Sequence, residues 1–138
     1  MNQINQTDQT DHKTVLVGVT DIFFYTKVRD ALMSKGYRIE RARTQQDIAE
    51  KASATIPSAV ILNMNDETLN AFQALETLTT DARLKTIPIL AFANHEEVDT
   101  FNRARVLGVT KIVSRNEFSA RLKDLVEEIL AAGVRGKG

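Results

Sequence analysis

Five short apolar runs, each followed by a polar cluster and then by apolar residues at helical spacing, leave this chain few architectures to choose from. A strand that is apolar without alternation must be covered on both faces. The clearest such run is Ser58-Ala59-Val60-Ile61-Leu62-Asn63-Met64-Asn65-Asp66, led in by Pro57 and closed by polar residues. Thr14-Val15-Leu16-Val17-Gly18-Val19 reads in the same way, and so does the stretch 86–93, where Pro88 is tolerated near the start. Residues 37–42 alternate apolar and charged, which suits a strand near a sheet edge. Residues 109–113 form a short fifth strand interrupted by Lys111.

The segments between the strands carry helical periodicity. Phe24, Val28, Ala31 and Leu32 define one apolar stripe, with Thr20 or Asp21 as cap and Gly36 where a left-handed stop is wanted. Thr44 and Asp47 open a short helix bearing Ile48, Ala49 and Ala52. A third, starting near Asp66 or Thr68, carries Leu69, Phe72, Leu75 and Leu78. Val98, Phe101, Ala104 and Leu107 form the fourth stripe, stopped at Gly108. Phe118, Leu122, Leu125 and Ile129 form the fifth, over residues 116–131, after a loop at 114–116.

Alternation of this kind, with short connections and right-handed crossovers, gives a parallel sheet covered by helices on both faces. Its strand-to-helix loops gather at the carboxyl edge, where doubly wound folds place ligands. The candidate site is therefore Thr20 and Asp21, 63–66, 93–95, and Ser114 with Arg115.

Composition narrows the function. At 138 residues with 43% hydrophobic and 26% charged side chains, one soluble domain over 14–132 is expected, with polar or flexible tails at 1–13 and 133–138. Zero cysteines exclude thiolate metal sites and cysteine nucleophiles and fit a cytoplasmic setting. A formal net charge of zero without a basic block argues against nucleic acid as a partner. No apolar run is long enough to span a bilayer, so neither a membrane partner nor a leader is expected.

The chain resembles the receiver domain of two-component response regulators over residues 14–132. The phrases that carry this are Ile56-Pro57-Ser58-Ala59-Val60-Ile61-Leu62, Ile87-Pro88-Ile89-Leu90 and Leu107-Gly108-Val109. Asp21-Ile22-Phe23-Phe24 with Lys27-Val28-Arg29, and Ser114-Arg115 with Phe118-Ser119, are similar to a group of short stand-alone receiver-like bacterial proteins. The resemblance implies a flavodoxin-like (β/α)5 fold with strand order 2-1-3-4-5.

It also implies a site, and this sequence departs from it. The phosphoacceptor carboxylate falls on Asn63, whose amide is a poor nucleophile. The acidic pair that holds Mg²⁺ falls on Val19 and Thr20, with Asp21 one place late. The hydroxyl position is Ala93, and the lysine position is Arg115, which keeps the charge but not the shape. The proline that usually follows is Asn116. Asp66 and Asp21 read first as helix caps, His95 as a surface or capping residue, and Arg115 as an ion-pair partner of Asp21 or Asp66.

The expectation is a degenerate, phosphorylation-independent pseudo-receiver, not an enzyme, that needs no cofactor or metal and works as a protein-interaction module. The face implied for a protein partner, or for a homodimer, is the fourth helix, fifth strand and fifth helix, with Arg103, Arg105, Lys111 and Arg121 beside Glu96, Asp99 and Asp124. Phe23 and Tyr25, off the core stripe, are a second contact point. Two alternatives stand beside it: a nucleotide- or flavin-type ligand in the crevice, for which Gly18-Val19-Thr20-Asp21 offers one glycine, and phosphorylation at a non-standard Asp.

Overall fold

The computed structural model describes residues 13–137, with backbone alone from 133 onward. Of the expected tails, 1–12 and 138 lie outside the described residues, and the backbone of 133–137 is part of the last helix. Strands β1 (Thr14–Gly18), β2 (Arg38–Ala42), β3 (Ala59–Asn63), β4 (Ile89–Ala93) and β5 (Lys111–Ser114) alternate with five helices. These are α1 (Ile22–Met33), α2 (Gln45–Thr55), α3 (Ala71–Thr80), α4 (Val98–Leu107) and α5 (Arg115–Lys137). Every pairing is parallel and the order is β2-β1-β3-β4-β5, the doubly wound α/β sheet expected.

Successive side chains of a strand point to opposite faces, and here both faces are filled. From β3, Val60 and Leu62 enter one layer with Ile48 and Ala52 of α2, Leu75 and Leu78 of α3, and Ala104 of α4. Ala59 and Ile61 enter the other with Phe24 and Val28 of α1 and Phe118, Leu122 and Leu125 of α5. The alternating strand 37–42 lies at the sheet edge as read, beside β1 only.

Helix ends follow local chemistry. Thr44 accepts the Asp47 N–H at 3.0 Å, and the Asp47 carboxylate reaches back to the Arg43 N–H at 3.3 Å. Gly108, at φ 105°, closes α4 by donating to Ala104 and Arg105 carbonyls, and Val109 donates to Ala104 at 3.2 Å. That closure delays β5 to Lys111.

Further boundaries and faces differ from the sequence reading. Strand β4 starts at Ile89 and not at 86, because residues 82–86 are still in a turn and the Ile87 N–H donates to the Leu84 carbonyl at 3.0 Å. The third helix starts at Ala71, because Asp66 and a left-handed Asn70 (φ 54°) wind the chain through turns first. Helix α5 begins at Arg115, directly after β5, with no loop between. Val98 is 62% exposed: at ~100° per residue it lies about 120° round α4 from the buried Ala104. Tyr25 is buried, since it lies only about 20° round α1 from Leu32, and the Arg41 guanidinium covers its ring at 5.1 Å.

Gly18 ends β1 under three side chains: a Cβ there would stand 3.0 Å from Ile48 and Leu62 and 3.2 Å from Leu69 methyls. Gly18→Val is expected to cost about 1–3 kcal/mol of stability by overpacking. Urea unfolding of the variant measures it, and an unchanged midpoint would contradict the close fit.

Candidate functional site

At the end of β1 the chain turns out of the sheet through Val19, Thr20 and Asp21. Val19 is fully buried in the layer against α1 and α5, so it presents nothing to a ligand. Thr20 donates twice to one oxygen of Asp66, from its N–H at 2.8 Å and its hydroxyl at 2.7 Å. The other Asp66 oxygen accepts the Leu69 N–H at 3.1 Å. Asp66 is thus a cap, as read, but of the turn before α3, and it also ties the β1–α1 loop to the β3–α3 loop. Asp21 caps α1 by accepting the Phe23 and Phe24 N–H groups at 2.9 and 3.1 Å. Arg41, on β2, donates to the Thr20 carbonyl at 2.6 Å and the Val19 carbonyl at 3.3 Å.

Asn63 stands at the end of β3, opposite Phe92 and only 7% exposed. Its side-chain oxygen accepts the Asn65 N–H at 3.0 Å, a local turn that uses the amide for backbone support. Asn65 then bridges outward. Its amide donates to Glu97 at 2.8 Å, and its oxygen accepts the Asn94 N–H at 2.7 Å. Thr100 donates to the same Glu97 oxygen at 3.1 Å. The β3–α3 and β4–α4 loops are therefore stitched together by neutral amides and a single carboxylate.

Ala93 is buried and in register with Ser114, whose hydroxyl oxygen accepts the Glu117 N–H at 3.1 Å and so starts α5. Arg115 does not meet Asp21 or Asp66. Its guanidinium packs over the Phe24 ring at 4.4 Å and lies 5.7 Å from Phe92, on a cluster completed by Phe118. Asp66 is taken on both oxygens and Asp21 on one, and a half-buried guanidinium gains from an aromatic face. The expected ion pair is replaced by cation–π stacking. Phe23 is 81% exposed, as its position off the stripe implied, whereas Tyr25 is not available as a contact.

The remaining cations are mostly engaged within the chain. Arg103 stacks on Phe72 at 4.1 Å, Lys111 pairs with Glu128 at 3.1 Å, and Arg121 pairs with Glu117 and Glu128. The hydrogen bond from Lys111, followed by those from Arg121, holds the Glu128 carboxyl below its usual value. His95 is exposed beside Glu96 at 3.5 Å.

Mg²⁺ wants several carboxylate or carbonyl oxygens in octahedral array. The donors at this edge do not fit it: Val19 is apolar, both Asp66 oxygens already accept hydrogen bonds, and Asp21, with one oxygen capping α1, leaves a single carboxylate oxygen over. Among the described residues no three acidic or histidine side chains gather in a metal-sized group. Asn65 lies inside the expected stretch 63–66, whereas Glu97 and Arg41 fall outside the candidate site read from the sequence. Asn65 and Glu97 carry only the signal of standing just past strand ends, and a charged residue on an alternating edge strand gives no hint of its reach.

No family model matches the chain and no curated protein matches it. Solved structures do. The fold is that of a receiver domain. The chemotaxis response regulator CheY4 of Vibrio cholerae superposes with a TM-score of 0.77 at 18% identity, over 86% of this chain and 98% of that one. The signal receiver domain of a signal transduction histidine kinase from Syntrophus aciditrophicus gives 0.78 at 17% identity, over 87% and 91%. NtrX from Brucella abortus gives 0.81 at 16% identity over 91% of this chain but 28% of its own length. The receiver fold of bacterial signalling proteins is thus the architecture on which this edge is built.

Two outcomes follow from the geometry. Asn65→Ala removes both ties between the β3–α3 and β4–α4 loops and should cost about 1–2 kcal/mol, read by urea unfolding; no loss would mean the ties are incidental. Glu128, with its folded pKa below the unfolded value, adds stability that is complete above the ordinary carboxylate range. That stability is lost as pH falls through the folded value. Glu128→Gln should therefore flatten the acid limb of stability below about pH 4.5, measured by unfolding across pH; an unaltered acid limb would count against the ion-pair role.

Proposed function

We propose that this chain is a phosphorylation-independent pseudo-receiver, a protein-interaction module of bacterial signalling that works without metal or cofactor in the cytoplasm. The observation that carries the reading is the commitment of the edge's two well-placed carboxylates. Asp66 accepts on both oxygens and Asp21 is a helix cap, while Asn63 occupies the strand end. A carboxylate held by three donors is a weaker nucleophile than a solvated one, because attack must first break those bonds. Phosphorylation at Asp66 is thereby disfavoured, and among the described residues Asp21 has no second carboxylate beside it to hold a metal. Catalysis of another kind lacks a nucleophile–base pair among these residues.

What the receiver scaffold offers instead is surface. Val98 and Val106 stand on α4 at 62% and 86% exposure, and Arg105 lies over the Phe101 ring at 5.7 Å. Exposed valines and arginines on α4, which packs beside β5, suit a protein partner, or a second copy, docking on the α4–β5–α5 face. Lys111 and Arg121, paired within the chain, shape the rim more than they attract.

Incubation with a small phosphodonor and Mg²⁺, read by intact mass, should leave the protein unmodified, and thermal melts with and without Mg²⁺ or beryllofluoride should superimpose. Asn63→Asp alone should also stay unmodified, since Val19, Thr20 and Ala93 supply neither metal ligands nor the hydroxyl. Phosphate uptake by the natural chain, or by that single variant, would overturn the reading.

A further inference from the structure

Helix α5 is not one straight rod. Arg121 leaves helical geometry (φ −126°, ψ 27°), which divides the helix into a first segment, 115–120, and a second from 122 onward. Sharp bends in helices come from proline, from glycine, or from a side chain or water set into the ladder. The stretch 115–132 holds neither proline nor glycine. Packing does not demand the bend either. Phe118, Leu122, Leu125, Val126 and Ile129 are all buried. On a straight helix at ~100° per residue they fall within about 100° of one another, as a single stripe. The local sequence therefore suits a continuous helix.

What stands at the bend is a cluster of charge. The Arg121 guanidinium donates to Glu117, one turn back in the first segment, at 2.7 Å, and to Glu128, two turns on in the second. Lys111 of β5 grips the same Glu128 at 3.1 Å. Two cations and two carboxylates thus tie both segments of α5 to one another and to the edge strand. Their side chains are 40–41% exposed, so the attraction is modest and falls with salt. A helix whose sequence suits one form while surface charges hold another has two arrangements close in free energy. The first segment is the lighter of the two. It buries one large apolar side chain, Phe118, against Leu122, Leu125, Val126 and Ile129 in the second.

We infer that the Arg121 cluster is a charge latch. Closed, it holds α5 bent; released, it leaves 115–132 as one continuous helix whose first segment has swung relative to the sheet. That swing shifts Arg115 on the Phe24 and Phe92 rings, so a charged group that takes Arg121 or Glu128 from outside acts on the carboxyl edge. The latch lies apart from Asp21, Asn63 and Asp66, and it holds or fails independently of the reading given for them. The chain has no cysteine, so spin labels can be set on introduced pairs at exposed positions. Ala54→Cys on α2 with Asn116→Cys reports the first segment, and Ala54→Cys with Asp124→Cys reports the second. Arg121→Gln, or ~1 M salt on the natural latch, should shift the 54–116 distance by about 2–3 Å, the travel of a segment ~8 Å long turning through about 20°. The 54–124 distance should stay. Lys35→Gln, which removes a different ion pair of α5, with Glu127, should leave both distances alone. Distances unmoved by both Arg121→Gln and salt, an equal shift on Lys35→Gln, or a shift confined to the 54–124 pair would each overturn the inference.

Discussion

Burial of the central strands on both faces is the constraint from which the rest follows. Every side chain of β3 and β4 is out of solvent, so these strands can offer chemistry only from their carboxyl ends and the loops beyond. Those loops in turn must satisfy their own backbone groups, because the strands beneath them cannot. Asp66 answers this for two loops at once. Its three accepted hydrogen bonds hold the β1 exit against the β3 exit, and Arg41 closes the same turn from the β2 side by capping the Val19 and Thr20 carbonyls.

The electrostatics of this edge are correspondingly quiet. A cluster of carboxylates repels itself by about 1 kcal/mol per pair in water and up to roughly 4 kcal/mol in a partly buried site. Such a cluster stores that energy until a cation arrives. Here the strand-end positions hold Val19, Thr20, Asn63 and Ala93, and the nearby cation, Arg115, rests on aromatic rings instead of waiting for an anion. Nothing at the edge calls for a counter-ion. On this receiver fold the edge is held together by hydrogen bonds within the chain.

The parts legible in the sequence were those set by local pattern. Continuous apolar runs marked the buried strands because two-sided burial leaves no room for alternation, and β2 stood out because an edge strand does alternate. Identities at strand ends were equally direct: Asn63 and Ala93 occupy positions that the register fixes. Strand order came with the resemblance, since pattern alone does not rank parallel neighbours. What stayed hidden was where polar side chains go after the backbone turns. Asp66 and Asp21 were read as caps correctly, but the second grip of Asp66 on Thr20 spans 46 residues and has no local signal. Arg115 was assigned a carboxylate because opposite charges attract; three phenylalanines drawn from α1, β4 and α5 supplied a face that only the tertiary fold assembles. Tyr25 and Val98 were misplaced by the angular drift of helices, which a one-dimensional stripe does not carry.

The cover that Arg41 places over Tyr25 gives the molecule an uneven optical signature. The chain has no tryptophan and two tyrosines. Tyr25 lies in α1 beneath the guanidinium of β2, and Tyr37 stands just ahead of β2, partly buried and near Glu127, with its phenol pushed to titrate higher. Both chromophores therefore watch the same margin of the sheet. Tyrosine emission reports the docking of α1 against β2, while the opposite margin, β5 with α4, carries no tyrosine to follow.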